Sequence, residues 1–277
     1  MTVRLRITRL PVLLATLLAL ALLMGGLGTV VTLWSPPALG SSGPVESLAQ
    51  PRQCRPETPC LAVVIDDVGR DLARLDRLLR LRLDLTFSVL PHARHTAKSL
   101  DAIRARGRQI MVHLPMAPLD PKNITDEPVV IGRDGPTATA LLACLEAVPD
   151  AVGANNHMGS ATSRDPALAL ALMQLLGRRG LWFLDSRTVS GSVLCSQALE
   201  AGVPCLQRDV FLDDSPSPSL AARQLEQAIE LARKRGWAVA IAHPRAVTVA
   251  LLGRLEQSTL SSRITVRRLS EVVADGT

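Results

Sequence analysis

The sequence is poor in aromatic residues, with no tyrosine and only three phenylalanines and three tryptophans among 277 residues. Lysine is also scarce and occurs only as Lys98, Lys122 and Lys234, so arginine supplies most of the positive charge. Nucleic-acid-binding proteins usually combine basic tracts with aromatic side chains, and this chain has no such tract. We therefore expect no nucleic-acid partner.

Two kinds of motif are missing as well. The absence of a C-x-x-C pair argues against a zinc ribbon and against a thioredoxin-type site. No G-x-G-x-x-G follows the first predicted strand and no P-loop occurs, so no phosphate cradle of a cofactor-binding domain is predicted. The five cysteines allow two local disulfides, Cys54–Cys60 and Cys195–Cys205, with Cys144 left over. Other pairings and buried free thiols remain alternatives, and disulfides would suit an oxidising compartment.

The beginning of the chain differs in composition from the rest. Arg4, Arg6 and Arg9 precede an uncharged apolar stretch, 11–34, that is long enough to cross a bilayer as a helix. A cleaved signal peptide has a shorter apolar region of about 7–15 residues, although residues 38–40 resemble a cleavage site.

These features predict three segments: a transmembrane anchor over 1–34, a flexible tether rich in proline, serine and glycine over 35–53, and a folded domain over 54–277. Because positive residues stay inside, we expect the domain to lie in the periplasm, anchored to the inner membrane. Cleavage of the first segment would make the protein secreted instead.

Beyond the tether, short apolar runs alternate with longer helical patterns. One helical pattern opens with Asp165 as a cap and Pro166 at its first position. The predicted strands are 61–65, 85–90, 109–113, 151–154, 180–184, 203–209 and 238–242. The alternation predicts an α/β fold with about seven mainly parallel strands, closed as an irregular barrel or open and doubly wound.

Histidines and aspartates follow these predicted strands. All five histidines lie at or just after strand ends, namely His92, His95, His113, His157 and His243. The carboxyl ends of parallel strands meet at one rim, so these side chains are expected to converge. Catalytic zinc sites use about three nitrogen or oxygen ligands and keep one position for water. The pattern therefore predicts a divalent metal centre that supports hydrolysis.

Six short motifs carry a specific resemblance. "VVIDDVG", "QIMVHLPMAP", "GANNHMGSATSRD", "LWFLDSRT", "DVFLDD" and "AIAHP" resemble, in order and spacing, the divergent polysaccharide deacetylase family across residues 60–270. The resemblance implies an irregular β/α barrel and metal-dependent removal of N- or O-acetyl groups from sugars. Together with the predicted anchor, it predicts an envelope or extracellular polysaccharide as substrate, such as a peptidoglycan-type glycan.

The same resemblance implies roles for the paired aspartates, with Asp66 as general base and Asp67 as metal ligand. His113 matches the first histidine of a motif whose second histidine is replaced here by Ala117. We expect His157, from the fourth predicted strand end, to complete a triad with Asp67 and His113. The expected metal is a divalent ion, with zinc as the first choice.

Further residues complete the expected site. His243 is expected to protonate the leaving group, with Asp185 orienting it. Asn156, Arg187 and Arg164 are candidate substrate contacts, although a tight turn or salt bridges on the rim would explain them equally well. Asp213 and Asp214 are interpreted as caps of the next helix.

The alternative to an enzyme is a degenerate deacetylase-like domain that binds glycan or an envelope protein without chemistry. Ala117 and the incomplete match of the other motifs favour this alternative.

Overall fold

The computed structural model describes residues 54–124, 126–258 and 263–276. The predicted anchor, 1–34, and the predicted tether, 35–53, lie outside the described residues. Within the described part of the chain, no helix is both long and apolar enough to cross a membrane.

The described residues contain one sheet in which every strand pairing is parallel. Eight strands follow one path in the order β6-β5-β4-β3-β2-β1-β8-β7, and β9 pairs with the first residues of β1. The strands are β1 (Cys60–Val68), β2 (Thr86–Val89), β3 (Gln109–Met116), β4 (Gly153–Met158), β5 (Trp182–Asp185), β6 (Cys205–Gln207), β7 (Val210–Phe211), β8 (Trp237–Ala242) and β9 (Thr265–Arg267).

Helices connect the strands and cover the sheet. They are α1 (Leu72–Leu79), α2 (Thr96–Ala105), α3 (Thr137–Ala147), α4 (Pro166–Gly177), α5 (Leu194–Glu200), α6 (Pro218–Arg235), α7 (Ala246–Gln257) and α8 (Leu269–Gly276). Alternate residues of β1 belong to two separate buried clusters, Leu61, Val63 and Ile65 to one and Ala62 and Val64 to the other. Burial on both faces explains why strands such as β1 and β8 are continuous apolar runs rather than alternating ones.

Helix starts test two of the predictions. The Asp165 carboxylate accepts hydrogen bonds from the backbone N–H groups of Ala167 and Leu168, and Pro166 occupies the first turn, as predicted. The predicted cap at Asp213 or Asp214 is wrong, because the N-cap of α6 is Ser217.

The sheet curls so far that its two edges lie close together. The predicted strand 203–209 is wrong in extent: it contains only β6, at one edge of the sheet, and after Arg208 and Asp209 the chain enters β7 at the other edge. Arg208 N–H donates to Asp185 O of β5, whereas Asp209 N–H donates to Val239 O of β8, each at 2.9 Å. This confirms a parallel α/β fold that curls as an irregular barrel, with eight strands in the path rather than about seven.

Two disulfides stabilise the domain, and their pairing is one of those that the sequence allowed. Cys54 bonds to Cys60 at the start of β1, and Cys195 of α5 bonds to Cys205 of β6. Cys144 is a buried free thiol, and burial raises its pKa to about 12. It is therefore an unreactive member of the core.

Candidate metal centre

A bulge near the end of β1 explains why two adjacent aspartates serve one site. Ile65 pairs with Phe87 and Val68 with Val89, so β1 holds one more residue than β2 between these pairs. Asp67 lies within the bulge and has a φ of 55°, which few residues other than glycine adopt. In a regular strand, neighbouring side chains point to opposite faces.

Here both carboxylates instead reach the same histidine. Asp66 Oδ2 lies 3.7 Å and Asp67 Oδ1 lies 3.3 Å from His113 Nε2. The strained backbone at Asp67 is thus a local cost that gives the site two carboxylates from consecutive positions.

Asp67, His113 and His157 bring three ligand atoms together. His157 Nδ1 is 3.0 Å from Asp67 Oδ1 and 3.2 Å from His113 Nε2, and the third side of the triangle is 3.3 Å. Tetrahedral zinc with bonds of about 2.0–2.1 Å requires ligand atoms about 3.3 Å apart. The three side chains also form a candidate metal cluster by atom type and proximity. Donor set and spacing therefore fit a divalent ion such as zinc.

The buried oxygen of Asp67 gives independent support for a cation. Within the described part of the chain, no well-aligned hydrogen bond reaches Asp67 Oδ1, although His113 Nε2 lies 3.3 Å and His157 Nδ1 lies 3.0 Å from it. A buried carboxylate oxygen placed between two imidazole nitrogens suits a bound cation. Burial raises the pKa of Asp67, but His113 and His157 outweigh it and hold the pKa well below its usual range.

The strands explain how His157 reaches the triad. β4 continues past its predicted end at residue 154, so Asn155, Asn156 and His157 lie within the strand. The neighbouring strand β3 pairs His113 with Asn155 and Pro115 with His157. Ala117 occupies the position of the second histidine in the β3 motif. His157 of β4 supplies the third ligand atom instead.

Asn155 is a fully buried hub that orients His113. Its Oδ1 lies 2.9 Å from His113 Nδ1, and since a carbonyl oxygen only accepts, this nitrogen carries the hydrogen. In the neutral ring, this tautomer leaves the lone pair of His113 Nε2 for a metal. The same Oδ1 accepts from Ser88 Oγ at 2.5 Å, and Nδ2 donates to Asp66 Oδ1 at 2.8 Å and to Ser186 Oγ at 3.1 Å.

His157 has a different partner behind it. Its Nε2 lies 3.2 Å from Glu127 Oε1, and Arg70 contacts the same carboxylate oxygen. Burial lowers the pKa of His157, but the carboxylates of Asp67 and Glu127 outweigh it and raise the pKa to about 9. A metal ion bound at Nδ1 must therefore displace a proton.

His243 is paired with Asp213, not with Asp185. His243 Nδ1 lies 2.9 Å from Asp213 Oδ1, and the backbone N–H of His243 and the Thr248 hydroxyl both donate to Asp213 Oδ2. Asp185 is fully buried, and its Oδ1 accepts the backbone N–H of Arg187 at 2.8 Å. The expectation that Asp185 orients His243 is therefore wrong, because Asp185 stabilises a turn and Asp213 holds the imidazole.

The charges of this pair support each other. Burial lowers the pKa of His243, but the hydrogen bond and charge of Asp213 outweigh it and raise the pKa above its ordinary value. Burial likewise raises the pKa of Asp213, and His243 outweighs that effect and lowers it. Asp66 and Asp67 contribute to the raised pKa of His243, so the pair and the aspartates share one electrostatic environment.

The three predicted substrate contacts differ in accessibility. Asn156 is 1% exposed, its Oδ1 accepts from Ser186 N–H and its Nδ2 donates to Met158 O, so its role in substrate binding stays a prediction that this burial does not favour. Arg164 is exposed but donates to Ser190 O. The exposed Arg187 guanidinium forms neither a hydrogen bond nor an ion pair with any described residue, and its role in substrate binding stays a prediction.

Only some of the residues at the site could be predicted from the sequence. Of the five histidines, His113 and His157 join the cluster and His243 lies near it, whereas His92 and His95 line a surface groove at α2. Glu127 and Arg70 were missed altogether, because a charged pair in a loop carries no sequence signal that distinguishes it from a solvated pair. Asp213 carried one signal, since it precedes the "SPSPS" turn at a strand end.

The comparison with known families agrees with the motifs. A family model for divergent polysaccharide deacetylases matches residues 63–273. The chain belongs to the divergent polysaccharide deacetylase family. This match confirms the resemblance that the six short motifs carry.

Individual relatives are similar over most of the domain. An uncharacterized protein of Haemophilus influenzae is 39% identical over 193 residues, which cover 69% of each chain. The uncharacterized protein YibQ of Escherichia coli is 33% identical over 196 residues, and the match spans 61% of its length. The crystal structure of an uncharacterized protein from Agrobacterium tumefaciens superimposes with a TM-score of 0.70 at 18% identity, covering 81% of this chain and 97% of that one. This last likeness shows a shared fold.

Proposed function

We propose that this protein is a divalent-metal-dependent hydrolase that removes acetyl groups from an envelope or extracellular polysaccharide. The observation that carries the proposal is the triangle of Asp67 Oδ1, His113 Nε2 and His157 Nδ1, with Asp66 beside it. Membership of the divergent polysaccharide deacetylase family supports the substrate class.

The metal would be held by Asp67, His113 and His157. When bound, it would polarise the acetyl carbonyl and lower the pKa of the attacking water. Asp66 acts as general base and takes a proton from that water as the oxygen bonds to the carbonyl carbon. Burial raises the pKa of Asp66, which suits a base that works near neutral pH. Its Oδ1 accepts from Asn155, and Oδ2 remains to receive the proton.

His243 acts as general acid. Its raised pKa favours the protonated form, and Asp213 fixes the ring by binding Nδ1, so Nε2 is the nitrogen that donates. The proton passes to the leaving nitrogen or oxygen of the sugar as the bond to the acetyl carbon breaks. The products are acetate and a free amine or hydroxyl group, and the enzyme returns to its starting state when the proton on Asp66 is lost and His243 is reprotonated.

Export from the cytoplasm forms a second part of the proposal. Two disulfides in the described domain support an oxidising compartment, since such bonds rarely persist in the cytosol. The apolar stretch 11–34 supports an inner-membrane anchor with the domain in the periplasm. Fractionation of cells after alkaline washing would test the anchor, because an anchored chain stays with the membranes and a secreted one does not.

Acetate release is the direct test of the chemistry. The full chain, purified in mild detergent and loaded with zinc, is incubated with a panel of N- and O-acetylated glycans that includes peptidoglycan, and acetate is measured enzymatically. We expect release that Asp66→Asn abolishes and that His92→Asn leaves intact, since His92 is exposed and asparagine tolerates its φ of 61°.

The same experiment addresses the non-catalytic alternative. If the zinc-loaded chain binds a glycan of the panel yet releases no acetate from any of them, the hydrolase is rejected in favour of a degenerate binding domain. Ala117 motivates this alternative, because it removes one histidine from its usual position.

A further inference from the structure

The orientation of the His157 ring is not fixed in the way that Asn155 fixes the ring of His113. An imidazole ring can present either nitrogen, and His157 must keep Nδ1 toward Asp67 for the triangle to form. His113 is fixed by the fully buried hub Asn155, whereas His157 lies near the end of β4 with 15% of its side chain exposed. A ligating histidine needs a partner on its second nitrogen to present the first one to a metal in one orientation.

Glu127 occupies the position from which such support would come. Its Oε1 lies 3.2 Å from His157 Nε2, on the opposite edge of the ring from the nitrogen that faces Asp67. The Glu127 side chain is only 4% exposed, so this contact is shielded from water and is stronger than a surface ion pair.

Arg70 holds Glu127 in turn. It follows β1 directly and contacts the same Oε1, while its Nη2 also lies 3.0 Å from Asp126 Oδ1. A carboxylate buried beside an arginine and a histidine is a paired charge, and removing one partner of such a set leaves an uncompensated charge. Arg70 thus stabilises Glu127 as an anion in the place where it meets His157.

The loop that carries Glu127 is itself attached to the sheet. Ile131 N–H donates to Pro115 O at 2.8 Å, and Ala117 N–H donates to Ile131 O at 2.9 Å. These bonds pair Ile131 with Met116 at the end of β3 and attach this part of the chain to the sheet. Glu127 lies four residues before that attachment.

We propose that Glu127, held by Arg70, is a positioning residue that fixes the tautomer and orientation of His157 and so sets the metal affinity of the site. This inference rests on the metal centre of the proposed function, but not on its chemistry. The third ligand, His157, comes from β4 and not from position 117, where Ala117 stands. Glu127 is the residue that orients this ligand.

Zinc affinity of three full-length variants tests the proposal. Glu127→Ala removes the acceptor, Glu127→Gln keeps an acceptor oxygen of the same shape, and Glu146→Ala removes an exposed carboxylate on α3 that has no partner among the described residues. Dissociation constants come from competition with a chromogenic chelator. Circular dichroism and intact disulfides verify that each variant is folded.

We expect Glu127→Ala to weaken zinc binding about 10–100-fold, the usual cost of losing an outer partner of a ligating histidine. Glu127→Gln should restore most of that loss, and Glu146→Ala should match the wild type. In the cobalt-loaded protein, the visible absorption bands should shift in Glu127→Ala and not in Glu127→Gln, because only the alanine variant releases His157.

Two results would overturn the proposal. One is unchanged zinc affinity and an unchanged cobalt spectrum in Glu127→Ala, and the other is an equal loss of affinity in Glu127→Ala and Glu127→Gln. Acetate release is not needed for this reading. A wild type that binds zinc and releases no acetate would defeat the proposed hydrolase while leaving the role of Glu127 intact.

Discussion

Replacement of Asn155 by alanine is a demanding test of the site, because one buried amide serves four partners. The variant removes the acceptor of His113 Nδ1 and Ser88 Oγ and the donor to Asp66 Oδ1 and Ser186 Oγ. All four partners are at most 2% exposed, so water does not replace the lost amide without entering the core.

The size of the effect follows from these contacts. A hydrogen bond to a charged group contributes about 1.5–3 kcal/mol and a neutral one about 0.5–1.5 kcal/mol. The bond to the Asp66 carboxylate is of the first kind when that group is ionised, and the other three are of the second. We therefore expect Asn155→Ala to lower the free energy of unfolding by about 3 kcal/mol or more, out of the about 5–15 kcal/mol typical of a folded domain.

Denaturant unfolding of the full chain in the presence of a chelator gives this number without any contribution from bound metal. Asn123→Ala is the matched control, since Asn123 is exposed, and it should change the unfolding free energy by no more than about 0.5 kcal/mol. A loss below about 1 kcal/mol in Asn155→Ala would refute the hub, because a satisfied buried network of four bonds cannot be removed at that cost.

Two further predictions concern the pair of His243 and Asp213 and the exposed Arg187. Because the pKa of His243 is raised, its contribution to stability is complete below its ordinary pKa of 6.5 and is lost as pH rises through the raised value. Because the pKa of Asp213 is lowered, its contribution to stability is lost as pH falls below 3.8. Asp213→Asn should therefore destabilise the protein more at pH 5 than at pH 9 in denaturant titrations, and an equal loss at both would argue against the charged pair. If Arg187 contacts substrate, Arg187→Ala should raise KM for the glycan with kcat and zinc affinity unchanged, and an unchanged KM would remove Arg187 from the binding surface.

Local sequence signals were sufficient for much of the fold. The start of α4 follows from Asp165 and Pro166, and the apolar runs of β1 and β8 identify buried parallel strands. The predicted strand 203–209 failed because sequence periodicity does not reveal that a chain crosses from one edge of a curled sheet to the other between Gln207 and Val210. Such a crossing is a property of the curl of the whole sheet, which depends on all the other strands.

The candidate ligands of the site could be predicted from the sequence, but the residues that hold them in place could not. Asp67, His113 and His157 could be predicted to lie together because parallel strands end at one rim, whereas the partners behind them could not. Glu127 meets His157 only through the path of the 117–136 loop, and Asp213 replaces Asp185 beside His243 only because β7 is paired with β8. The residues that hold a ligand in place are those that lie near it in three dimensions. Contacts between loops that are distant in sequence produce no periodic pattern from which they could be predicted.

Metal content is the measurement that bears most directly on the proposed site. The full chain and its Asp67→Ala, His113→Ala and His157→Ala variants, purified in parallel and dialysed against trace zinc, are analysed by plasma mass spectrometry. The structure predicts about one divalent ion per wild-type chain and a large loss in each of the three variants, since each supplies one corner of the same triangle. Folded wild-type protein that cannot be loaded, or variants that retain the metal, would contradict a metal centre at these residues.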